Sequence, residues 1–425
     1  MRAAFFEHDV TPPLGGFMWG HYKPVYAKTV HTRLYAKAVV VEDAGEVAAI
    51  VVIDSCSLPP EMHDIVTKRV FEYTGLTADK ICITSNHSHT GAPISDSPEI
   101  GCSGDANYKD VFFRLCADAI IIAYNRLEEV DVTFSTSEVK GACFNRDYIR
   151  ADGTYGTQPR PGSIGTLDGV DEELPVLMFE REGKPIGAII SYALHQCLTK
   201  ESVTGYSGDY AAIMSKNLKE KYGNDFVSLF VLGTCGDVNH LDPNLDNERH
   251  TYKTLGPILA NSVIESQKNR VSVTGTVCSK KQYVNVPRRS ADPELAIPGI
   301  QYWLSQNKLM NARNMTYYVS LPEPDSTDLA VQCIKIGDTL IACLPGEIYV
   351  TYGKEIKEKS PFKHTFVIEN CNTYCGYIPS KKAFDPEKNH LYETSLCYHS
   401  CHIPEAGDML TQAALNIAKE LEERD

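Results

Sequence analysis

Tryptophan is scarce in this 425-residue chain, with two in all, and no apolar run is long enough to cross a bilayer. The longest, 117–123 (ADAIIIA), falls far short of the roughly 20 residues that a membrane helix requires. Basic residues are outnumbered: 41 Lys and Arg against 55 Asp and Glu give a formal charge of -14. That balance argues against nucleic acid and against an anionic membrane surface, so neither polyanion binding nor stable membrane insertion is expected. The opening MRAAFFEHDVTPP has His8 and Asp9 where a secretory apolar core would lie, and no export signal is read there. A P-loop, a Rossmann glycine fingerprint and a G-x-S-x-G elbow are also missing. Ser103 in GCSGD and Ser207 in GYSGD lack the strand–turn–helix setting of a serine nucleophile. No Pro/Ser-rich linker, charge block or internal repeat divides the chain.

Cysteine, by contrast, is plentiful. Fourteen cysteines without an export signal predict free, mostly buried thiols in a reducing compartment, and hence a cytoplasmic protein. Hydrophobic content of 43% and charged content of 23% are ordinary for a globular chain. Hydrophobic periodicity predicts strands at 34–41, 47–53, 81–84, 174–179, 186–194, 226–232, 271–286, 329–336 and 340–344. It predicts helices at 61–73, 108–127, 207–222, 252–266, 293–311, 348–359 and 408–424. The expected fold class is α/β: layered mixed β-sheets flanked by helices, in a single large catalytic domain over 1–425. Residues 145–169, rich in Gly, Arg, Asp and Thr, read as one long loop.

His87 and His89, in ICITSNHSHTGAP, follow the buried strand 81–84 and precede a turn marked by Gly91 and Pro93. Residues two apart on an extended segment project to one side, so both imidazoles can enter one cleft. A lone His-x-His can equally be two polar loop residues. His195 closes the strand-like AIISYALHQC, as a ligand at a sheet edge or as a solvent cap. FVLGTCGDVNHLDP leads into Gly233, Gly236 and Asp237, where small residues permit close backbone approach or a plain tight turn. LIACLPGEIYV sets Glu347 at an expected helix start, where glutamates also serve as dipole partners. NTYCGYIP holds Tyr374 and Tyr377 between turn residues, where a tyrosine can be simple packing. Together, His87, His195 and Glu347 follow three separate strands and form a ligand set suited to catalytic Zn2+, which lowers the pKa of bound water to roughly 7. An amide or ester carbonyl is the matching target. The pairs Cys371/Cys375 and Cys397/Cys401, each with three residues between, read as buried thiols rather than a second zinc site.

In their order along nearly the whole chain, these motifs resemble the neutral (alkaline, non-lysosomal) ceramidase family. DVTPPLGGFMWGHY resembles that family's start, SNHSHTGAP its His–Thr–His–Ser–Gly–Pro motif, and FNRDY its Asn–Arg–Ser–Pro segment. SYALHQ resembles the strand with its second zinc histidine, SGDYAA a following helix start, GDVNHLDP its Gly–Asp–Val–Ser–Pro–Asn, LPGE its zinc glutamate segment, and NTYCGY with LYE its C-terminal tyrosine motifs. The resemblance implies a zinc held by His87, His195, Glu347 and Tyr377. It implies that His89 assists the oxyanion or the leaving amine, that Arg146 holds the carbonyl or oxyanion, and that Asp237 and Asn239 occupy the family's catalytic Gly–Asp–Val–Ser segment.

Three departures bear on substrate. Asn239 stands where the family has a serine, and a carboxamide cannot attack a carbonyl. No C-terminal immunoglobulin-like domain follows, and no export signal is read. Within RDYIRADGTYGTQPRPGSIG (146–165) of the long loop, which should overlie the pocket, the bulky apolar residues are only Tyr148, Ile149, Tyr155 and Ile164, too few for a long acyl tunnel. The expected substrate is therefore a small, soluble N-acyl compound, cleaved by metal-activated water, in a protein compatible with a homo-oligomer. The alternatives are a zinc esterase or lactonase, and an inactive metal- or ligand-binding relative.

Overall fold

The computed structural model describes residues 1–21, 23–158, 162–199, 204–242, 249–322 and 324–423. Three sheets make its frame, and each follows from runs of aliphatic and β-branched residues. The first contains β1 (Arg2–Asp9), β2 (Tyr35–Asp43), β3 (Glu46–Ile53) and β4 (Ile81–Ser85), in the order β4-β3-β2-β1. The second contains β5 (Asp131–Glu138), β6 (Glu173–Arg181), β7 (Lys184–Tyr192) and β8 (Val227–Leu232), in the order β8-β7-β6-β5. The third runs β9 (Val277–Pro287), β10 (Ser326–Ile336), β11 (Thr339–Cys343) and β12 (His364–Ile368). The β6–β7 hairpin turns on Glu182 and Gly183, both at positive φ, the geometry that suits a two-residue hairpin loop.

The three sheets share one design. Neighbours are antiparallel except for a single parallel pair at one side: β3 with β4, β7 with β8, and β11 with β12. The inner faces meet in one core, where Val39 and Ile50 of the first sheet join Leu177 and Leu229 of the second and Ile341 and Phe366 of the third. The outer faces are covered by helices. The pair α1 (Met62–Thr74) and α2 (Ala106–Tyr124) lies on the first sheet, α3 (Asp209–Tyr222) and α4 (Tyr252–Ser266) on the second. Two further helices, α5 (Pro293–Ser305) and α6 (Leu309–Val319), pack on each other around Trp303 and Met315. The third sheet is covered by α7 (Val350–Lys359) and α8 (Ala406–Glu422). This is the expected α/β class of mixed sheets flanked by helices. Among the described residues, no helix is long and apolar enough to cross a membrane.

Several expectations are corrected. The helix read over 293–311 is two, because Asn307 takes a left-handed φ of 55° that a continuous helix cannot contain. The stretch read as one long loop holds a small antiparallel sheet, Asp147–Ile149 between Tyr155–Thr157 and Gly165–Thr166. Its strands are too short to show a hydrophobic alternation; residues 159–161 of the stretch lie outside the described residues. Strands β1, β5 and β12 were not predicted from periodicity. In β5, for example, Val132 and Phe134 face the core from among Asp, Ser and Thr, and cross-strand pairing overrides that polar composition.

Candidate metal centre

Each parallel pair delivers its C-terminal end to the same place. The chain leaves β4 at Ser85, and His87 takes a left-handed φ of 61°, so the segment is not extended as the spacing of His87 and His89 suggested. The rings converge by this turn instead, with centroids 5.0 Å apart and the two Nε2 atoms at 3.4 Å. His195 follows β7, and its ring centroid lies 4.7 Å from that of His87. After β8, Gly236 runs so close to Glu347 that a Cβ there would sit 2.6 Å from the Glu347 carbonyl oxygen. Glu347 itself is not in a helix. It forms with Ile348 a two-residue strand paired in parallel with Tyr377–Ile378, and α7 starts only at Val350. Strand pairing, not a helix dipole, holds this carboxylate.

The ligand atoms meet at one oxygen. His87 Nε2 lies 3.3 Å and His195 Nε2 3.2 Å from Glu347 Oε2, with all three side chains buried. The other nitrogen of each ring is occupied: His87 Nδ1 donates to the Cys56 carbonyl at 2.6 Å, and His195 Nδ1 to the Cys235 carbonyl at 2.8 Å. Those bonds fix the tautomer that leaves both Nε2 lone pairs facing inward, as in metal-binding histidines. Tyr374 OH donates to the remaining Glu347 oxygen at 2.8 Å. Burial opposes charge on Glu347, but His87 and His195 outweigh it and hold the carboxyl well below its usual range. Burial likewise opposes charge on His87, while Cys56 and Glu347 raise it well above the ordinary imidazole value. His195 is pushed down to about 4 by burial and by Arg146. With the His87 proton displaced by the ion, the two inward nitrogens around a buried carboxylate suit a divalent cation.

A buried acid behind the ligands had escaped the sequence reading. Glu369, just past β12, accepts from Cys235 N at 3.1 Å and from Ile348 N at 2.7 Å. It thereby ties the backbone carrying the His195 acceptor to the backbone carrying Glu347. Burial and the neighbouring Glu347 push its carboxyl up to about 8. An acid closing the apolar run HTFVI was the one available signal, and it has the same form as the signal at His195.

The remaining predicted residues divide into wall and support. His89, Arg146 and Tyr377 line, with the three ligands, a cavity of about 220 Å³. His89 is kept well below the usual imidazole range by burial and then by His87 and His195. Arg146 Nε pairs with Glu393 Oε1 at 2.8 Å and Nη2 donates to Gly236 O at 2.7 Å, with the guanidinium 5.4 Å from the Tyr377 ring centre. Burial and Glu347 raise the Tyr377 phenol well above its normal range. Asp237 and Asn239, read from the sequence as catalytic, stand behind the wall. Asp237 accepts from Asn145 Nδ2 at 2.6 Å and from Val350 N at 2.8 Å, so it anchors the start of α7; burial pushes it up to about 7. Asn239 donates to Gln158 Oε1 at 2.8 Å, and Gln158 lines the cavity. Trp19, Tyr392, Tyr398 and His399 complete much of the wall; Trp19 lies in DVTPPLGGFMWGHY and Tyr392 in LYE, whereas Tyr398 and His399 carry no motif spacing that would reveal them. None of the fourteen cysteines is in a disulfide among the described residues, and Cys371 clusters not with Cys375 but with Cys82 and Cys343 in the core.

Residues 7–279 match the family model for the N-terminal part of neutral/alkaline non-lysosomal ceramidase. The chain belongs to that family. His87, His89, Arg146 and His195 fall within the matched span, whereas Glu347 and Tyr377 come from the part beyond it. The whole chain superposes on neutral ceramidase from Pseudomonas aeruginosa with a TM-score of 0.78 at 19% identity, covering 74% of that chain. A structure of a ceramidase complexed with C2 matches the whole chain with a TM-score of 0.77 at 18% identity, covering 75% of its length. At such identities the likeness is one of fold. No curated protein matches the sequence. Ceramidase family and fold together support hydrolysis of an amide bond.

Proposed function

We propose that the protein is a zinc-dependent amidohydrolase acting on a small N-acyl compound rather than on long-chain ceramide. The cavity volume carries this reading: about 220 Å³ lies below the roughly 300–1,000 Å³ of pockets that enclose drug-sized ligands, and a two-chain lipid is larger still. His87, His195 and Glu347 would hold the zinc, with Tyr377 beside them as a fourth donor. When bound, the metal supplies Lewis acidity to water or to an amide carbonyl at neutral pH. The protein's own groups do the rest. Arg146 brings a permanent positive charge to the wall where negative charge develops on the carbonyl oxygen. His89, neutral and 3.4 Å from His87, can accept a proton and pass it to the departing amine. Asn239 cannot serve as a nucleophile and orients Gln158 instead. Fourteen cysteines with no disulfide among the described residues support a reducing, cytoplasmic setting.

The test is a substrate series on metal-loaded protein, running from N-acetyl amides to long-chain ceramide in detergent. Short, soluble amides are expected to be cleaved and ceramide scarcely at all. Ceramide hydrolysis with kcat/KM of ~10⁴ M⁻¹s⁻¹ or more would restore the lipid reading. In the same assay His89→Ala should lower kcat by ~10²–10³ while metal content stays at the parent level. Loss of the metal in that variant would make His89 a ligand and not a proton carrier.

A further inference from the structure

Glu99 lies in the short turn Pro98–Ile100 and lines the same cavity, although only 5% of it is exposed. Its Oε1 accepts from Tyr398 OH at 3.0 Å and from the Ser97 hydroxyl, while Oε2 has no hydrogen-bond partner among the described residues. Among the described residues no Lys, Arg or His pairs with it. A carboxylate this deep ordinarily has a cation beside it, since an uncompensated buried charge is costly. A second unmet acceptor belongs to the same wall. Asn314, on α6 and likewise 5% exposed, has an Oδ1 without a partner. The α6 helix packs against the turn that carries Glu99.

The wall thus presents two unmet acceptors, one of them charged. Among the described residues the other charged side chains of the wall, Arg146 and Glu347, are already engaged, Arg146 with Glu393 and the Gly236 carbonyl, Glu347 with His87 and His195. The aromatic rings of Trp19, Tyr392 and Tyr398 border the same space, and such faces attract cations. We propose that Glu99, with Asn314, forms a subsite for a protonated amine, so that the N-acyl compound hydrolysed carries a second, cationic nitrogen. This rests on the amide hydrolysis proposed for the adjoining metal centre. A neutral hydroxyl would meet the hydrogen bonds and leave the charge uncompensated, and an anion would be repelled.

The experiment compares two probes on the metal-loaded protein by calorimetry: N-(6-aminohexyl)acetamide and its neutral counterpart N-(6-hydroxyhexyl)acetamide. The ammonium probe is expected to bind about 10-fold tighter or more, the scale of a hydrogen bond to a charged partner. In Glu99→Gln that difference should shrink to about 2-fold or less, since the neutral amide keeps the shape and loses the charge. Should Glu99→Gln fail to fold, Asn314→Leu tests the same wall and should weaken the ammonium probe by about 3–10-fold. Equal affinity of the two probes for the parent protein, no binding of either, or an undiminished difference in Glu99→Gln would each overturn the subsite. Cleavage of both amides is followed in parallel. Ammonium preference without any cleavage supports the subsite and counts against the hydrolase reading, so the two failures are distinguishable.

Discussion

A His87→Ala/His195→Ala double variant is expected to be purified without stoichiometric metal and to lose amide hydrolysis by on the order of 10³-fold or more. The expectation follows from geometry: both inward nitrogens lie 3.2–3.3 Å from one oxygen of Glu347, and removing them leaves that carboxylate, whose other oxygen accepts from Tyr374, with Tyr377 as the one remaining proposed donor. One carboxylate and one phenol make a poor zinc site, because a neutral phenol binds weakly and the tetrahedral preference of the ion is unmet. Elemental analysis of parent and variant decides it. Full zinc occupancy in the variant would place the metal elsewhere.

The second large effect concerns stability. Arg146→Met should cost about 3–5 kcal/mol, the usual penalty for stranding one member of a buried ion pair. Its partner Glu393 is fully buried and meets the guanidinium at 2.8 Å. Burial alone would favour the neutral form of Arg146, and Glu393 overcomes this to hold it charged. Denaturant unfolding measures the loss. Adding Glu393→Gln should recover much of it, because the stranded charge is then gone and Thr157 still hydrogen-bonds to that side chain. A single-variant loss below about 1 kcal/mol would mean that the pair is solvated rather than buried.

The frame and the meeting of His87, His195 and Glu347 were legible in the sequence for a shared reason. A polar residue directly after an apolar β-run stands out against its surroundings, and His87, His195 and Glu347 all do so. Local backbone detail was not legible. The left-handed turn at His87 and the strand pairing of Glu347 with Tyr377 depend on partners nearly 300 and 30 residues away, such as the bridge between Thr84 and Cys371. Roles within the site were harder still. Asp237 and Asn239 carry residue types suited to catalysis, yet a buried backbone amide claims the first and a glutamine the second. Glu369 and Glu99 went unnoticed because an acid in a loop is common, and only burial with unmet or shared partners sets these two apart.

The single parallel pair at the side of each sheet has a consequence for the order in which the molecule comes together. The three candidate ligands follow strands of three different sheets and are spread over 260 residues of chain, from 87 to 347. No sheet can build the centre alone, so ion capture must await the docking of all three. Such assembly is dominated by contacts remote in sequence, which makes folding slow. During synthesis the emerging chain would hold His87 and His195 without Glu347 until the segment after β11 had left the ribosome. An ion held there would be a late arrival that clamps three finished layers, rather than a seed around which they grow.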